Sequence, residues 1–131
     1  MLIVAVDMTV YPQDRTARIL VVEEEPIVAI MLDDALSDFG YHILGPVENP
    51  RAALCLAATE HIDAAVVDSN IDGQIANAVV DKLVERKIPF VFINAHSRTF
   101  TSPYCAAPLL QNPFTIDDLH LTIMRLLQQA E

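Results

Sequence analysis

Positive charge is what this chain has least of. Lys and Arg number 8 against 18 Asp and Glu, a formal net charge of −10 over 131 residues. A surface of that sign repels phosphate backbones and anionic lipid, so binding to nucleic acid or to a membrane surface is not expected. Cysteine is scarcer still: Cys55 and Cys105 form no spacing motif, which excludes a disulfide scaffold and leaves reduced thiols in the cytoplasm as the expectation. No apolar run approaches the roughly 18 to 20 residues of a membrane span, and no basic segment precedes the apolar N-terminus as a secretory leader would require. Internal repeats, low-complexity tracts, a Gly-rich phosphate loop and a Ser-His-Asp arrangement are also missing, which weighs against a small α/β enzyme. His42, His61, His96 and His120 lie far apart without ligand spacing and read as surface or partly packed histidines.

What is present is an ordinary globular composition, 53% hydrophobic and 20% charged, of a length that suits one domain with a sizeable core. Residues 1–17 open with Leu2-Ile3-Val4-Ala5-Val6 and fall into Pro12-Gln13-Asp14-Arg15, an N-terminal extension that is either an added strand or poorly ordered. From residue 18 onward, β-branched runs alternate with helical periodicity. Arg18-Ile19-Leu20-Val21-Val22 reads as a buried strand ending in Glu23, Glu24 and Glu25. Pro26 then starts a helix with Val28, Met31, Leu32, Ala35, Leu36 and Phe39 on its apolar face, stopping at Gly40. Tyr41 to Leu44 makes a strand that ends at Gly45-Pro46, and Asn49-Pro50 caps a helix to about Thr59 with Leu54, Ala57 and Ala58 inward.

Ala64-Ala65-Val66-Val67-Asp68 is the run around which the chain is organised. It is a short apolar strand that surfaces on one carboxylate and breaks into Ser69-Asn70-Ile71-Asp72-Gly73. A helix from about Gln74 to Lys87 follows, with Ile75, Val79, Val80 and Leu83 on one side. Next come an apolar strand over Ile88 to Ile93, an interval interrupted by Pro103 with room for one or two helical turns, and a weak strand over Ala106 to Leu110. The last helix is capped by Thr115 and Asp118 and carries Ile116, Leu119, Ile123, Leu126 and Leu127 inward. Five strands alternating with about five helical segments predict a parallel sheet covered on both faces. In such sheets, ligands collect outside the carboxyl ends of the strands, which is where Glu23, Glu24 and Asp68 lie.

Four stretches in this order, Ile19-Leu20-Val21-Val22-Glu23-Glu24-Glu25-Pro26, Val66 to Gly73, Phe90-Val91-Phe92-Ile93-Asn94-Ala95 and Asn112-Pro113-Phe114, resemble the successive signatures of the response-regulator receiver domain. The resemblance covers residues 18–131. It implies a flavodoxin-like (βα)5 three-layer sandwich with strand order 2-1-3-4-5 and a signalling module rather than an enzyme, its fourth helix shortened here by the brief, Pro103-interrupted interval. In that order the first and third strands are neighbours, so Glu23, Glu24 and Asp68 are expected to converge. The resemblance further implies Asp68 as phospho-acceptor, with Glu23, Glu24, Asp68 and the Asn70 backbone carbonyl as Mg²⁺ ligands. Three close carboxylates need a cation, and Mg²⁺ accepts one or two carboxylates while keeping oxygen sites for a phosphoryl group.

Two positions depart from the family pattern. Asn94 stands where a Thr or Ser ends the fourth strand, and Asn112 where a Lys precedes the Pro of the fifth-strand motif. Glu24 also replaces the usual Asp, which predicts a weakened Mg²⁺ site. His96 and Arg98 are candidates to supply the missing positive charge, and Phe100, Tyr104 and Cys105 could form a contact surface in the same loop. The primary expectation is a single-domain receiver, phosphorylated on Asp68 by a histidine kinase or phosphotransfer protein and acting on a downstream protein target, with a homodimer left open. The alternative is a degenerate receiver that serves as a phosphorylation-independent interaction module.

Overall fold

The computed structural model describes residues 16–68, 74–93, 108–110 and 114–129. Five strands, β1 (Arg18–Val22), β2 (His42–Val47), β3 (Ala64–Asp68), β4 (Phe90–Ile93) and β5 (Leu109–Leu110), alternate with helices α1 (Pro26–Asp38), α2 (Pro50–Thr59), α3 (Gln74–Glu85) and α4 (Ile116–Gln129). The sheet is parallel throughout in the order β2-β1-β3-β4-β5, the flavodoxin-like arrangement expected from the sequence. The extension before residue 16, the expected short fourth helix, and Asn70, Asn94, His96, Arg98, Phe100, Tyr104, Cys105 and Asn112 lie outside the described residues.

The continuous apolar strands are explained by two cores, one on each face of the sheet. Alternate side chains of a strand point to opposite faces. Accordingly Ile19, Val21, Ala64, Val66, Val91 and Ile93 pack with Leu32 and Leu36 of α1 and Leu119, Ile123 and Leu126 of α4. Leu20, Val22, Ala65, Val67, Phe90 and Phe92 pack with Ala53 and Ala57 of α2 and Val79, Val80 and Leu83 of α3. Right-handed crossovers require this division of helices once the order of strands reverses between β1 and β3.

Local signals set the boundaries. Asn49 caps α2 through its side-chain oxygen, which accepts from the Arg51 N–H at 2.8 Å. Thr115 and Asp118 form a reciprocal box at the start of α4: the Asp118 N–H donates to Thr115 Oγ1 at 2.9 Å and the Thr115 N–H to Asp118 Oδ2 at 3.4 Å. The Arg86 guanidinium closes the other end of α2, donating to the carbonyls of Ala57 at 2.6 Å and Glu60 at 2.9 Å.

Three sequence expectations are corrected. β2 does not stop at Gly45-Pro46 but runs through it to Val47; β2 is an edge strand, where a proline without an N–H costs no ladder bond. On α2, Ala53 and Ala57 are buried and Leu54 packs against the core as expected, but Ala58 is exposed. On α1, Met31 and Phe39 face out of the core, together with Ile27 and Ile30. Phe39 instead stacks on His120 with ring centroids 3.6 Å apart, and His120 Nε2 lies 3.1 Å from the hydroxyl of Tyr41.

The two faces of α1 give a direct check on this packing. Leu36→Ala, at a fully buried position, is expected to cost about 2 to 5 kcal/mol in denaturant unfolding, whereas Ile30→Ala on the exposed face should stay within about 0.5 kcal/mol. Equal costs would refute the orientation of α1.

Candidate acidic site at the carboxyl ends of β1 and β3

The sheet register builds this site. Val22 is paired with Val67 across β1 and β3, so the next residues, Glu23 and Asp68, are laid side by side where the strand order reverses. Both are buried, at 1% and 2% exposure, and they are the buried charged residues among those described. Their carboxyl groups lie close enough to interact directly. Asp68 is also paired with Ile93 at the end of β4, immediately before Asn94 in the sequence.

Glu23 is pinned at both ends. Its N–H donates to the carbonyl of Val47 at the end of β2 at 2.9 Å. Its Oε2 accepts from the N–H of Glu25, the residue that caps α1, at 3.1 Å. Burial and the hydrogen bond to Asp68 push the Glu23 carboxyl up from 4.5 to about 8, against the opposing pull of the Glu25 N–H. The pair therefore holds a proton where an exposed glutamate would have lost it.

Glu24 does not join them. Its side chain is exposed, and among the described residues no group of three or more His, Cys, Asp or Glu is disposed to hold a metal ion. Two of the three carboxylates expected to converge thus meet, and the third stays in water. Solvation of the longer glutamate side chain avoids placing a third negative charge against a buried acidic pair.

The donor set nevertheless fits Mg²⁺. Two hard carboxyl groups lie together at adjacent strand ends, and Mg²⁺ is ordinarily held by one or two carboxylates plus water. Sequence reasoning missed the contribution of Val47, whose role is carried by a backbone carbonyl and leaves no residue-type signal. The histidines described are elsewhere: His61 Nε2 lies 3.1 Å from Asp63 Oδ1, and His120 sits against Tyr41 and Phe39.

The raised Glu23 carboxyl fixes the sign of a pH effect. Between about 4.5 and about 8 the folded chain holds a proton that the unfolded chain releases, so metal-free protein should lose stability as pH rises through that window. Glu23→Gln, neutral throughout, is expected to flatten the slope in unfolding curves recorded across the window; an unchanged slope would refute the shared proton.

No protein-family model matches the sequence, and no curated protein does. Among solved structures, SdrG from Sphingomonas melonis Fr1 is 36% identical with a TM-score of 0.72, covering 86% of this chain and 97% of that one. SdrG in its BeF3-activated conformation, from Pseudomonas melonis Fr1, is 35% identical with a TM-score of 0.70, covering 87% and 98%. A response regulator receiver protein from Sinorhizobium medicae WSM419 shares the fold at 20% identity and a TM-score of 0.72, covering 89% and 98%. So does the receiver domain of a sensor histidine kinase from Pseudomonas aeruginosa PAO1, which has a magnesium ion coordinated in its active-site cleft, at 18% identity and a TM-score of 0.71, covering 87% and 99%. No helix among the described residues is long and apolar enough to cross a membrane. A near-full-length relative above one-third identity, the shared strand order and two acids at the switch point lead to one assignment: the chain belongs to the response-regulator receiver-domain family of two-component signalling.

Proposed function

We propose that residues 18–131 form a receiver unit that accepts a phosphoryl group on Asp68 and signals through protein contacts in the cytoplasm. The observation that carries this reading is the buried Glu23–Asp68 pair, brought together by the Val22–Val67 register at the topological switch point. Asp68 is the nucleophile: its carboxylate oxygen bonds to phosphorus as the bond from phosphorus to the donor's imidazole nitrogen breaks, and the imidazole takes a proton from water. Asp68 is left as an acyl phosphate. Glu23 and Asp68, with Glu24 at the rim and the Asn70 carbonyl beyond the described residues, would hold Mg²⁺. Bound there, Mg²⁺ would offset the negative charge between the acids and the phosphoryl oxygens. Holding the cation would require Glu23 in its charged form, and the Glu25 N–H keeps that carboxyl oriented.

The donor is proposed to be a histidine kinase or phosphotransfer protein. An apolar face on α1 supports a protein partner beside the acidic pair: Ile27, Ile30 and Met31, at 79%, 62% and 52% exposure, follow directly after the capping residue Glu25. SdrG supports a working switch, since a relative 35% identical adopts a BeF3-activated conformation. The exposure of Glu24, with Asn at positions 94 and 112, favours a second reading in which phosphate control is lost and the fold serves as an interaction module.

Intact-mass analysis with Mg²⁺ and a small acyl-phosphate donor, alongside NMR with beryllofluoride, separates the two readings. The expected result is one added phosphoryl group and shifts around Asp68, both lost in Asp68→Ala. Asn112→Lys should increase acceptance by roughly tenfold, the scale of a restored charge-assisted contact of about 1.5 to 3 kcal/mol. Ile27→Ser with Ile30→Ser should leave small-donor acceptance unchanged while reducing transfer from a phosphorylated histidine protein. Absence of any response from folded protein at millimolar Mg²⁺ and donor would establish the second reading.

A further inference from the structure

The register between β1 and β2 contains an irregularity that leads to the acidic pair. Ile19 pairs with Ile43 and Leu20 with Leu44, but Val22 pairs with Val47. Between those rungs β1 contributes only Val21, whereas β2 contributes Gly45 and Pro46, so one extra residue is accommodated on β2. Gly45 makes this feasible. Its φ is +98°, a region that L side chains rarely adopt, and a Cβ there would lie 2.6 Å from the Val47 nitrogen and 2.9 Å from the Val21 oxygen. With Val22 opposite Val47, those two atoms face each other across a parallel ladder. The next rung is the 2.9 Å bond from the Glu23 N–H to the Val47 carbonyl.

We propose that Gly45 is a positioning residue for the Glu23–Asp68 site, acting through the Val47 carbonyl. The extra residue on β2 moves that carbonyl under the Glu23 N–H. Glu23 is thereby fixed from behind by β2, while the Glu25 N–H fixes its carboxyl from the helix side at 3.1 Å. Any Cβ at position 45 wedges the Val47–Val21 rung apart, withdraws the Val47 carbonyl and lets Glu23 drift from Asp68. The cation-binding consequence rests on the reading that this pair holds Mg²⁺; the effect on carboxyl geometry does not.

Gly40 supplies the control, because it shares a φ of +98° but has nothing within 4 Å of its would-be Cβ. Gly45→Ala and Gly40→Ala are compared with the parent protein by NMR, following amide exchange at Glu23 and the carboxyl carbon shifts of Glu23 and Asp68, and then by Mg²⁺ titration. Gly45→Ala is expected to lose Glu23 amide protection, to shift both carboxyl signals, and to weaken Mg²⁺ binding by about tenfold or more, the usual range for a disrupted second layer around a metal site. Gly40→Ala should lose stability yet keep all three within twofold of the parent. If Gly45→Ala fails to fold, Gly45→Asn tolerates the positive φ while still carrying the Cβ, and the same changes are expected. Unchanged carboxyl signals in a folded position-45 variant, or equal changes in Gly40→Ala, overturn the proposal. Failure of the parent protein to bind Mg²⁺ would count against the metal reading alone, with the exchange and carboxyl measurements still deciding the role of Gly45.

Discussion

The in-register pairing of Val22 with Val67 has a consequence that the rest of the architecture must accommodate: it buries two acidic groups against each other. Two carboxylates cannot both stay ionised at that proximity without several kcal/mol of penalty, so a proton or a cation has to be present. The fold meets this in two ways. It brings a backbone N–H, that of Glu25, onto Glu23, and it places the pair at the ends of its strands, where the chain leaves the sheet. The acids sit above two apolar cores that are packed and paired on both faces. The cores can carry a locally unfavourable pair because more than twenty side chains around it are buried in the ordinary hydrophobic way.

Most of the fold was legible because the strands are short, largely apolar runs and most of them are followed by helical periodicity. Asp68 at the end of β3 and Glu23 at the end of β1 were readable as strand-end acids, and the resemblance made them neighbours. The failures have physical causes. On α1, apolar residues occupy almost every side: Leu32 and Leu36 face the core while Ile27, Ile30 and Met31 face outward. Periodicity locates a stripe only when the opposite face is polar, and here it is not. On β2, Gly45-Pro46 carries the local signature of a turn, yet edge position and the positive φ of Gly45 let the strand continue. Glu24 was placed beside the pair by the resemblance and the strand order, and its side chain is exposed.

The same residue-level view divides the apolar surface into two kinds. Phe39 leaves the core but finds His120, and its ring is stacked at 3.6 Å. Tyr41 adds its hydroxyl to that imidazole at 3.1 Å, and burial pushes the phenol up from 10.0, so it remains a neutral hydrogen-bonding partner. This small cluster ties the end of α1 to α4 beyond the main core. Among the described residues, Ile27, Ile30 and Met31, next to Glu25 at the opposite end of α1, stay exposed without such an arrangement. A helix that stabilises itself through Leu32 and Leu36 has no folding requirement for isoleucines on its outer side, which is why that face supports a contact function.

The shortage of positive charge that marks the sequence returns at the site. With Asn at position 112, a phosphoryl group on Asp68 would lack a charge-assisted contact of about 1.5 to 3 kcal/mol. A unit-charge pair about 4 Å apart near a protein surface is worth about 4 kcal/mol, and a divalent cation facing a dianion multiplies that figure before desolvation is subtracted. The divalent ion is therefore the larger contribution, and a receiver can tolerate loss of the lysine more readily than loss of the geometry that would hold the ion. That geometry depends on Glu23, whose backbone is set by the Val47 carbonyl and whose carboxyl is set by the Glu25 N–H. On the proposed reading, the constraint on phosphoryl acceptance would lie less in the asparagines than in the two hydrogen bonds made by Glu23 beside Asp68.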